Sequence, residues 1–195
     1  MNWLESTAVA FGIVSVYLSV RQNIWSWPTA IVNVLLYVLV FRDAKLYADM
    51  GLQVVYFALS VYGWYEWLYG GANRTPLKVS RATARAAVTL SLIAVASVAV
   101  LGTFLARATD AALPYVDSAT TSTSLVAQWM MTRKVMENWA VWMAVDVVYV
   151  GMFIFKHLYL TAGLYAVFFV LAAMGHREWK QSWRADRAAE ALAAA

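Results

Sequence analysis

The chain has no cysteine among its 195 residues, which excludes disulfide bonds, thiolate-bound metals and cysteine nucleophiles. Charge is also scarce: only 13% of the residues are Asp, Glu, Lys or Arg, whereas 63% are hydrophobic, and a soluble domain has a far more polar composition. Neither an HExxH metal-binding motif nor a GxxxxGK[ST] phosphate-binding loop is found in the sequence. We therefore predict no enzyme, no catalytic residue, no metal site and no cofactor.

Long hydrophobic segments predict seven transmembrane helices. A membrane-spanning helix needs about 20 predominantly apolar residues. Segments of this kind lie at roughly 4–20, 24–41, 47–69, 86–106, 119–132, 138–155 and 158–175. The first begins directly after Met1 and Asn2 without a basic segment, so we expect it to be retained rather than cleaved as a signal peptide.

An internal repeat relates the first three segments to the last three. Sixteen residues between positions 14 and 67 are identical to the residue found 112 positions later, and the alignment needs no gap. The least common matches pair Arg21 with Arg133, Trp27 with Trp139, Gly63 with Gly175, Glu66 with Glu178 and Trp67 with Trp179. A repeat of this size in a hydrophobic chain is typical of duplicated membrane transporters, which hold their substrate between the two halves.

The odd number of segments in each repeat predicts a connecting helix. Three spans reverse the side on which the chain leaves the membrane, so a directly joined second copy would insert upside down. The segment 86–106 has no charged or amide side chain and restores the original side. We therefore predict an all-α membrane protein with a 3+1+3 arrangement of two parallel repeats. The two repeats are residues 1–72 and 119–184. Residues 73–118 form the linker with the connector helix. Residues 185–195 form a cytoplasmic tail, which we expect to be a short amphipathic or frayed helix.

The basic residues predict the orientation in the membrane. Eleven of the 15 lysines and arginines fall on one predicted side, and the other side has only Arg42, Lys45, Arg107 and Lys156. Cytoplasmic loops are rich in Lys and Arg, so this asymmetry predicts an outside N-terminus and a cytoplasmic C-terminus. It also accounts for the net charge of +4 without a nucleic acid partner.

The most informative polar residue within the apolar segments is Asp146. It lies near the middle of the sixth segment, where an aspartate costs about 3 kcal/mol on membrane-insertion scales. No lysine or arginine lies at a similar depth, so we expect no permanent ion pair. Asp146 should instead face a cavity or a cationic ligand, or be protonated.

Helical spacing surrounds Asp146 with aromatic and amide groups. Asn138, Trp142, Asp146 and Tyr149 follow each other at intervals of four, four and three residues, which places them on one helix face. Trp139 borders this face. Two indoles beside a carboxylate suit a flat polar ring, including a cationic one.

The third and fifth segments add further candidates. Gln53 and Tyr56 share a helix face, Trp64 lies further along the third segment, and Gln128 lies in the fifth. A buried amide needs hydrogen-bond partners, so the two glutamines are stronger candidates than the aromatic residues. The alternative is a packed aromatic stripe in which Asp146 forms a hydrogen bond with Gln128 or Asn33. A purely structural membrane protein also remains open at this stage.

Several segments resemble the Pnu-type vitamin transporters, the nicotinamide riboside transporter family. The matching segments are 46–48 (LYA), 52–57 (LQVVYF), 62–67 (YGWYEW), 132–134 (TRK) and 137–142 (ENWAVW). The resemblance extends over nearly the whole chain. It implies a fold similar to the SWEET sugar transporters, a homotrimer, and facilitated diffusion of an unphosphorylated vitamin that a cytoplasmic kinase then traps.

The resemblance also implies that Gln53, Asn138, Trp139 and Trp142 line the substrate pocket. It implies an asparagine at the position of Asp146. It also implies that some members of the family carry thiamin or riboflavin in place of nicotinamide riboside. Nicotinamide riboside and thiamin both contain a ring cation that a carboxylate suits, whereas riboflavin does not.

We therefore predict a facilitator for the uptake of a vitamin, foremost nicotinamide riboside, across the bacterial inner membrane. The alternatives are a thiamin transporter and a proton-coupled carrier that uses Asp146. The predicted substrate-binding residues are Gln53, Tyr56, Trp64, Gln128, Asn138, Trp139, Trp142, Asp146 and Tyr149.

Overall fold

Seven α-helices make up nearly all of the computed structural model, which describes residues 3–43, 47–109, 113–155 and 157–193. They are α1 (Trp3–Val20), α2 (Ser26–Asp43), α3 (Tyr47–Tyr69), α4 (Ala84–Ala108), α5 (Pro114–Thr132), α6 (Asn138–Phe155) and α7 (Tyr159–Ala193). The predicted all-α fold with seven helices is therefore confirmed. Lys45 and Lys156, two of the four cations assigned to the less basic side, lie outside the described residues.

Six of the helices form a closed ring. Each of them packs against two others, in the order α1, α2, α3, α5, α6, α7 and back to α1. Among the described residues, α4 packs against α5 alone and so lies outside the ring. The ring leaves an interior space that all six helices can line.

Several helix surfaces are suited to lipid. The helices α1, α4, α6 and α7 are long and apolar enough to cross a membrane. On α4, large apolar side chains such as Leu92, Val95 and Val100 are exposed. Because lipid tails are as apolar as these side chains, such surfaces are stable within a bilayer. The helix α5 is more polar, since it carries a run of serines and threonines between Ser118 and Ser124.

Each repeat contains one tight turn, and the two turns have the same geometry. Gln22 follows α1, and Lys134, 112 positions later, follows α5. Both adopt a left-handed backbone, with φ angles of 53° and 48°. The amide of Gln22 donates to the carbonyl of Ser19 at 3.0 Å, and that of Lys134 donates to the carbonyl of Met131 at 3.1 Å. The left-handed residue ends one helix and lets the next begin four residues further on.

Four tryptophans pack at the end of the ring that contains these turns. The rings of Trp27 and Trp67 meet edge to face at 5.3 Å, and those of Trp139 and Trp179 at 5.4 Å. Trp67 and Trp179 contact each other at 5.8 Å. All four side chains are buried. We call this part of the molecule the basic end, because Arg21 and the basic loop that follows α3 also lie there.

The helix α7 differs most from its prediction. We expected the last membrane segment to end near residue 175 and a separate tail to begin at residue 185, but one helix continues to Ala193. Its extension packs against the loop between α3 and α4. Lys78 forms an ion pair with Glu190 at 3.4 Å, and the guanidinium of Arg81 lies 5.7 Å from the ring centre of Trp183. These contacts explain why a polar helix persists beyond the apolar segment.

Candidate substrate-binding cavity

A cavity of about 400 Å³ lies inside the ring and is lined by all six ring helices. Its volume is in the range of pockets that bind small organic molecules. The tryptophans Trp27 and Trp139 line it at the basic end, and Phe41 lines it near the opposite end of α2. The cavity therefore extends along the ring axis from the tryptophan cluster.

Seven of the nine predicted binding residues line this cavity. They are Gln53, Tyr56, Gln128, Trp139, Trp142, Asp146 and Tyr149. The helices α3, α5 and α6 provide them, and these three helices are consecutive neighbours in the ring. Side chains that are distant in the sequence thus share one wall of the cavity.

The structure does not bring Asn138 and Trp64 to the cavity. Asn138 is the first residue of α6 and is fully buried, and its Nδ2 donates to the carbonyl of Val135 at 2.6 Å. It therefore lies against the turn that precedes α6. Trp64 lies on α3, and 37% of its surface is exposed.

Asp146 is only 3% exposed and faces the cavity. The described residues contain no ion pair and no side-chain hydrogen bond that involves Asp146. Asn33, one of the partners considered from the sequence, donates instead to the carbonyl of Ala8 at 2.6 Å. A buried carboxyl group without a protein partner is suited to a ligand that brings a positive charge or a hydrogen-bond donor.

The two repeats contribute different chemistry at equivalent positions. The second repeat has Asp146 and Trp142 where the first has Val34 and Ala30, and all four residues line the cavity. In the same way, Gln128 corresponds to Val16. The ring is built as a duplicate, but the cavity has a polar wall and a more apolar one.

The basic end is closed by equivalent contacts on both sides. Arg21 pairs with Glu178 at 3.1 Å, and Arg133 pairs with Glu66 at 2.8 Å. Trp67 and Trp179 also donate their indole hydrogens to the carbonyls of Met131 and Ser19, both at 3.0 Å. Each of these contacts joins residues 1–72 to residues 119–184. The tryptophan cluster and the paired charges block this end of the cavity.

The cavity also contains residues that the sequence analysis did not select. They include Ser60, Ser124, Trp27 and Tyr165. The repeat could have identified Trp27, because it corresponds to Trp139. Ser124 gave no such signal, since it lies within a run of serines and threonines whose inward face cannot be assigned by residue type. Within the described parts of the chain, no group of three His, Asp or Glu residues is placed to hold a metal ion.

A ring of helices around a partly polar cavity, with several helices apolar enough to cross a bilayer, defines a membrane transport protein. The chain belongs to the nicotinamide mononucleotide transporter family, whose model matches residues 2–181. This result confirms the resemblance that the sequence motifs indicated.

Individual relatives support the same assignment. The nicotinamide riboside transporter PnuC of Escherichia coli is 27% identical over 217 residues, which cover 98% of this chain and 90% of that protein. The riboflavin/roseoflavin transporter RibM of Streptomyces davaonensis is 27% identical over 204 residues, covering 95% of each. The crystal structure of the vitamin B3 transporter PnuC has a TM-score of 0.72 and 26% identity, with 92% of this chain and 81% of that chain covered.

Proposed function

We propose that the protein mediates the uptake of nicotinamide riboside by facilitated diffusion across the bacterial inner membrane, and that phosphorylation by a cytoplasmic kinase then traps the substrate. The observation that carries this proposal is the position of Asp146 and Trp142 one turn apart on the cavity wall of α6. The relatives that are named as nicotinamide riboside transporters support it over nearly the whole chain.

The cavity suits the parts of this substrate. Its pyridinium ring is flat and positively charged, so it can stack on Trp142 and Trp139 while Asp146 offsets the charge. Gln53 and Gln128 carry both donors and acceptors, which match a carboxamide or hydroxyl groups. Because Asp146 has no cationic partner among the described residues, a cationic ligand would complete the charge balance of the cavity.

Two other substrates have specific support. The similarity to RibM makes riboflavin a candidate, but its ring carries no positive charge for Asp146. Thiamin does carry a ring cation, and its aminopyrimidine can donate hydrogen bonds to a carboxylate. Measuring the binding of the three vitamins side by side therefore distinguishes a requirement for positive charge from a requirement for a particular ring.

We further propose that the chain works as two parallel three-helix repeats joined by α4, in a 3+1+3 arrangement, and assembles as a homotrimer. The excess of basic residues supports a cytoplasmic basic end and an outside N-terminus. In this state the cytoplasmic end is closed. Rocking of one repeat against the other then opens the ends in turn.

Ligand binding by the purified protein tests the proposed substrate. We expect nicotinamide riboside to quench tryptophan fluorescence more strongly than thiamin or riboflavin, because its cationic ring suits Asp146 and three indoles line the cavity. The Trp142→Phe variant should lose most of this signal, whereas Trp64→Phe, which changes an indole outside the cavity, should keep it. Quenching by thiamin alone would make thiamin the substrate in place of nicotinamide riboside. No response to any of the three vitamins would reject the proposal.

A proton-coupled carrier is distinguished by accumulation. In liposomes, facilitated diffusion stops when the substrate concentrations are equal, and collapsing a proton gradient leaves that end point unchanged. Accumulation above the outside concentration that depends on the gradient would instead assign a titrating role to Asp146.

A further inference from the structure

Ser124 joins the two repeats inside the cavity. It is 3% exposed and lines the cavity from α5, and Tyr56 on α3 and Tyr149 on α6 line the same cavity. The hydroxyl groups of Ser124, Tyr56 and Tyr149 therefore line the cavity from three neighbouring helices, and we call these three groups the row.

The hydroxyl group of Ser124 is available to a ligand. Ser118, Thr120 and Thr132 on the same helix each donate to a carbonyl three or four residues earlier. No such backbone acceptor is found for Ser124 in the part of the chain that the structure describes. A serine that is not committed to its own helix can both donate and accept. The equivalent position in the first repeat is Gly12, which has no hydroxyl group.

We propose that this row binds a polyhydroxyl group of the ligand, with Ser124 as the residue that determines this specificity. Tyr149 follows Asp146 by one turn of α6, so the hydroxyl groups lie beside the place assigned to the ring. This proposal rests on the proposed function and narrows it to ligands in which a ring carries several hydroxyls. A ribosyl or ribityl group can pair with the row, whereas the single hydroxyl of thiamin leaves most of it without a partner.

Comparison of nicotinamide riboside with 1-methylnicotinamide tests the row, because the two share the cationic ring and differ in the sugar. We expect Ser124→Ala to weaken the binding of nicotinamide riboside about 3- to 10-fold, as for the loss of one hydrogen bond. The binding of 1-methylnicotinamide should not change. Ser122→Ala is the matched control, since Ser122 is buried on the same helix but does not line the cavity.

Equal weakening of both ligands by Ser124→Ala would assign the serine a structural role and overturn the proposal. So would equally tight binding of both ligands to the unaltered protein. If only riboflavin binds and Ser124→Ala weakens it, the row is retained and nicotinamide riboside is rejected as the substrate. If only thiamin binds, the row has no function in recognition.

A second inference concerns the two places where the repeats meet. In the ring these are the contacts of α1 with α7 and of α3 with α5, which we call the first and second seams. Each seam has one Arg–Glu pair and one indole hydrogen bond at the basic end, as described above. By these contacts alone the two seams are equivalent.

Hydrogen bonds and an ion pair of the loop after α3 reinforce the second seam. Lys134 donates from Nζ to the carbonyl of Leu77 at 2.9 Å and lies 4.6 Å from the ring centre of Trp67. Ser80 exchanges backbone hydrogen bonds with the turn that contains Lys134, at 3.0 and 2.9 Å. Arg81 pairs with Glu137 at 3.0 Å. These contacts attach the end of α3 to the turn between α5 and α6.

Among the described residues, no polar contact of the loop crosses between α1 and α7 at the first seam. Gln22 occupies the position of Lys134, and the described residues include no side-chain hydrogen bond of Gln22. We infer that the basic end opens by separation of the first seam, while the second seam stays closed and acts as the hinge. The observation that carries this inference is the difference between the two seams in their contacts with the loop. This difference does not depend on which ligand the protein binds.

Reversible cross-linking tests this inference, and the absence of cysteine makes every introduced thiol unique. One variant carries Arg21→Cys with Glu178→Cys, and the other carries Glu66→Cys with Arg133→Cys. With a short reducible cross-linker, we expect the first pair to stop substrate equilibration across liposomes and the second to leave it within about twofold of its uncross-linked form. A block by the second pair, or continued transport by the first, would overturn the inference.

Spin labels at the same four positions give a readout that does not depend on the substrate. We expect a second, longer distance for the pair at 21 and 178 and a single distance for the pair at 66 and 133. Lack of nicotinamide riboside transport in the unaltered protein would reject the proposed substrate, whereas the label distances would still decide which seam opens.

Discussion

Gly175 on α7 lies so close to the indole of Trp139 that a β-carbon at this position would overlap the ring. The equivalent Gly63 has the same relationship with Trp27. Both glycines thus allow a tryptophan at the base of the cavity to pack directly against a helix backbone. The close approach is the structural reason for a glycine that the repeat has in both copies.

We therefore expect Gly175→Ala to destabilise the protein by about 1–3 kcal/mol, the usual cost of overfilling a packed site. Thermal unfolding in detergent measures the effect. Gly163→Ala on the same helix is the control, because nothing lies within 4 Å of its added carbon. Equal stability of the two variants would contradict this account of the glycine.

Asp146→Asn should reduce the affinity for nicotinamide riboside about 10- to 100-fold. The reason is the loss of a charge-assisted contact with the pyridinium ring, worth about 1.5–3 kcal/mol. Titration calorimetry with the purified variant measures it. Uncharged riboflavin serves as the comparison, and a similar loss for both ligands would show that the carboxylate does not recognise charge.

Trp142→Ala should abolish uptake while leaving insertion into the membrane intact, because it removes a stacking surface from the cavity wall and leaves the apolar length of α6 unchanged. Uptake of labelled substrate by cells, together with the amount of protein in the membrane, separates the two effects. Trp64→Ala should retain uptake, since this side chain lies outside the cavity. Full uptake by Trp142→Ala would disprove the stacking role.

Lys134 should give the stability a measurable pH dependence. Burial lowers its pKa from 10.5 to about 8, and nearby Asp186 raises it by less. Above pH 8 the folded protein therefore releases this proton before the unfolded chain does, so stability should increase between about pH 8 and 10.5. Lys134→Gln, which copies Gln22 of the first repeat, should remove this increase, whereas Lys180→Gln should not. Melting temperatures from pH 7 to 9.5 decide the point.

The sequence was sufficient to predict the helices and most of the polar wall. The lengths of the apolar segments predict the seven helices. The cost of placing a charge in the membrane indicates Asp146 as a binding residue without any knowledge of its contacts. Helical spacing placed Trp142, Asp146 and Tyr149 on one face, and all three line the cavity.

The remaining differences have physical reasons. Spacing defines the face of a helix but not how far the cavity extends along it, so Asn138 was included although it lies at the start of α6. On α3 aromatic residues occupy every face, and Trp64 could not be assigned inward or outward. The continuation of α7 depends on the contacts of Trp183 and Glu190 with a loop about 100 residues earlier, which no local pattern reveals.

The equivalent positions of the two repeats divide into two groups with different consequences. Identical residues, such as Trp27 with Trp139 and Gly63 with Gly175, build the frame, whereas differing ones, such as Val34 with Asp146, distinguish the walls. If the differing residues were also identical in the two repeats, a ligand could bind equally well in two orientations related by a half-turn. The direction in which a bound molecule faces is thus encoded by a few side chains, and exchanging them between the halves should turn the molecule around without rebuilding the fold.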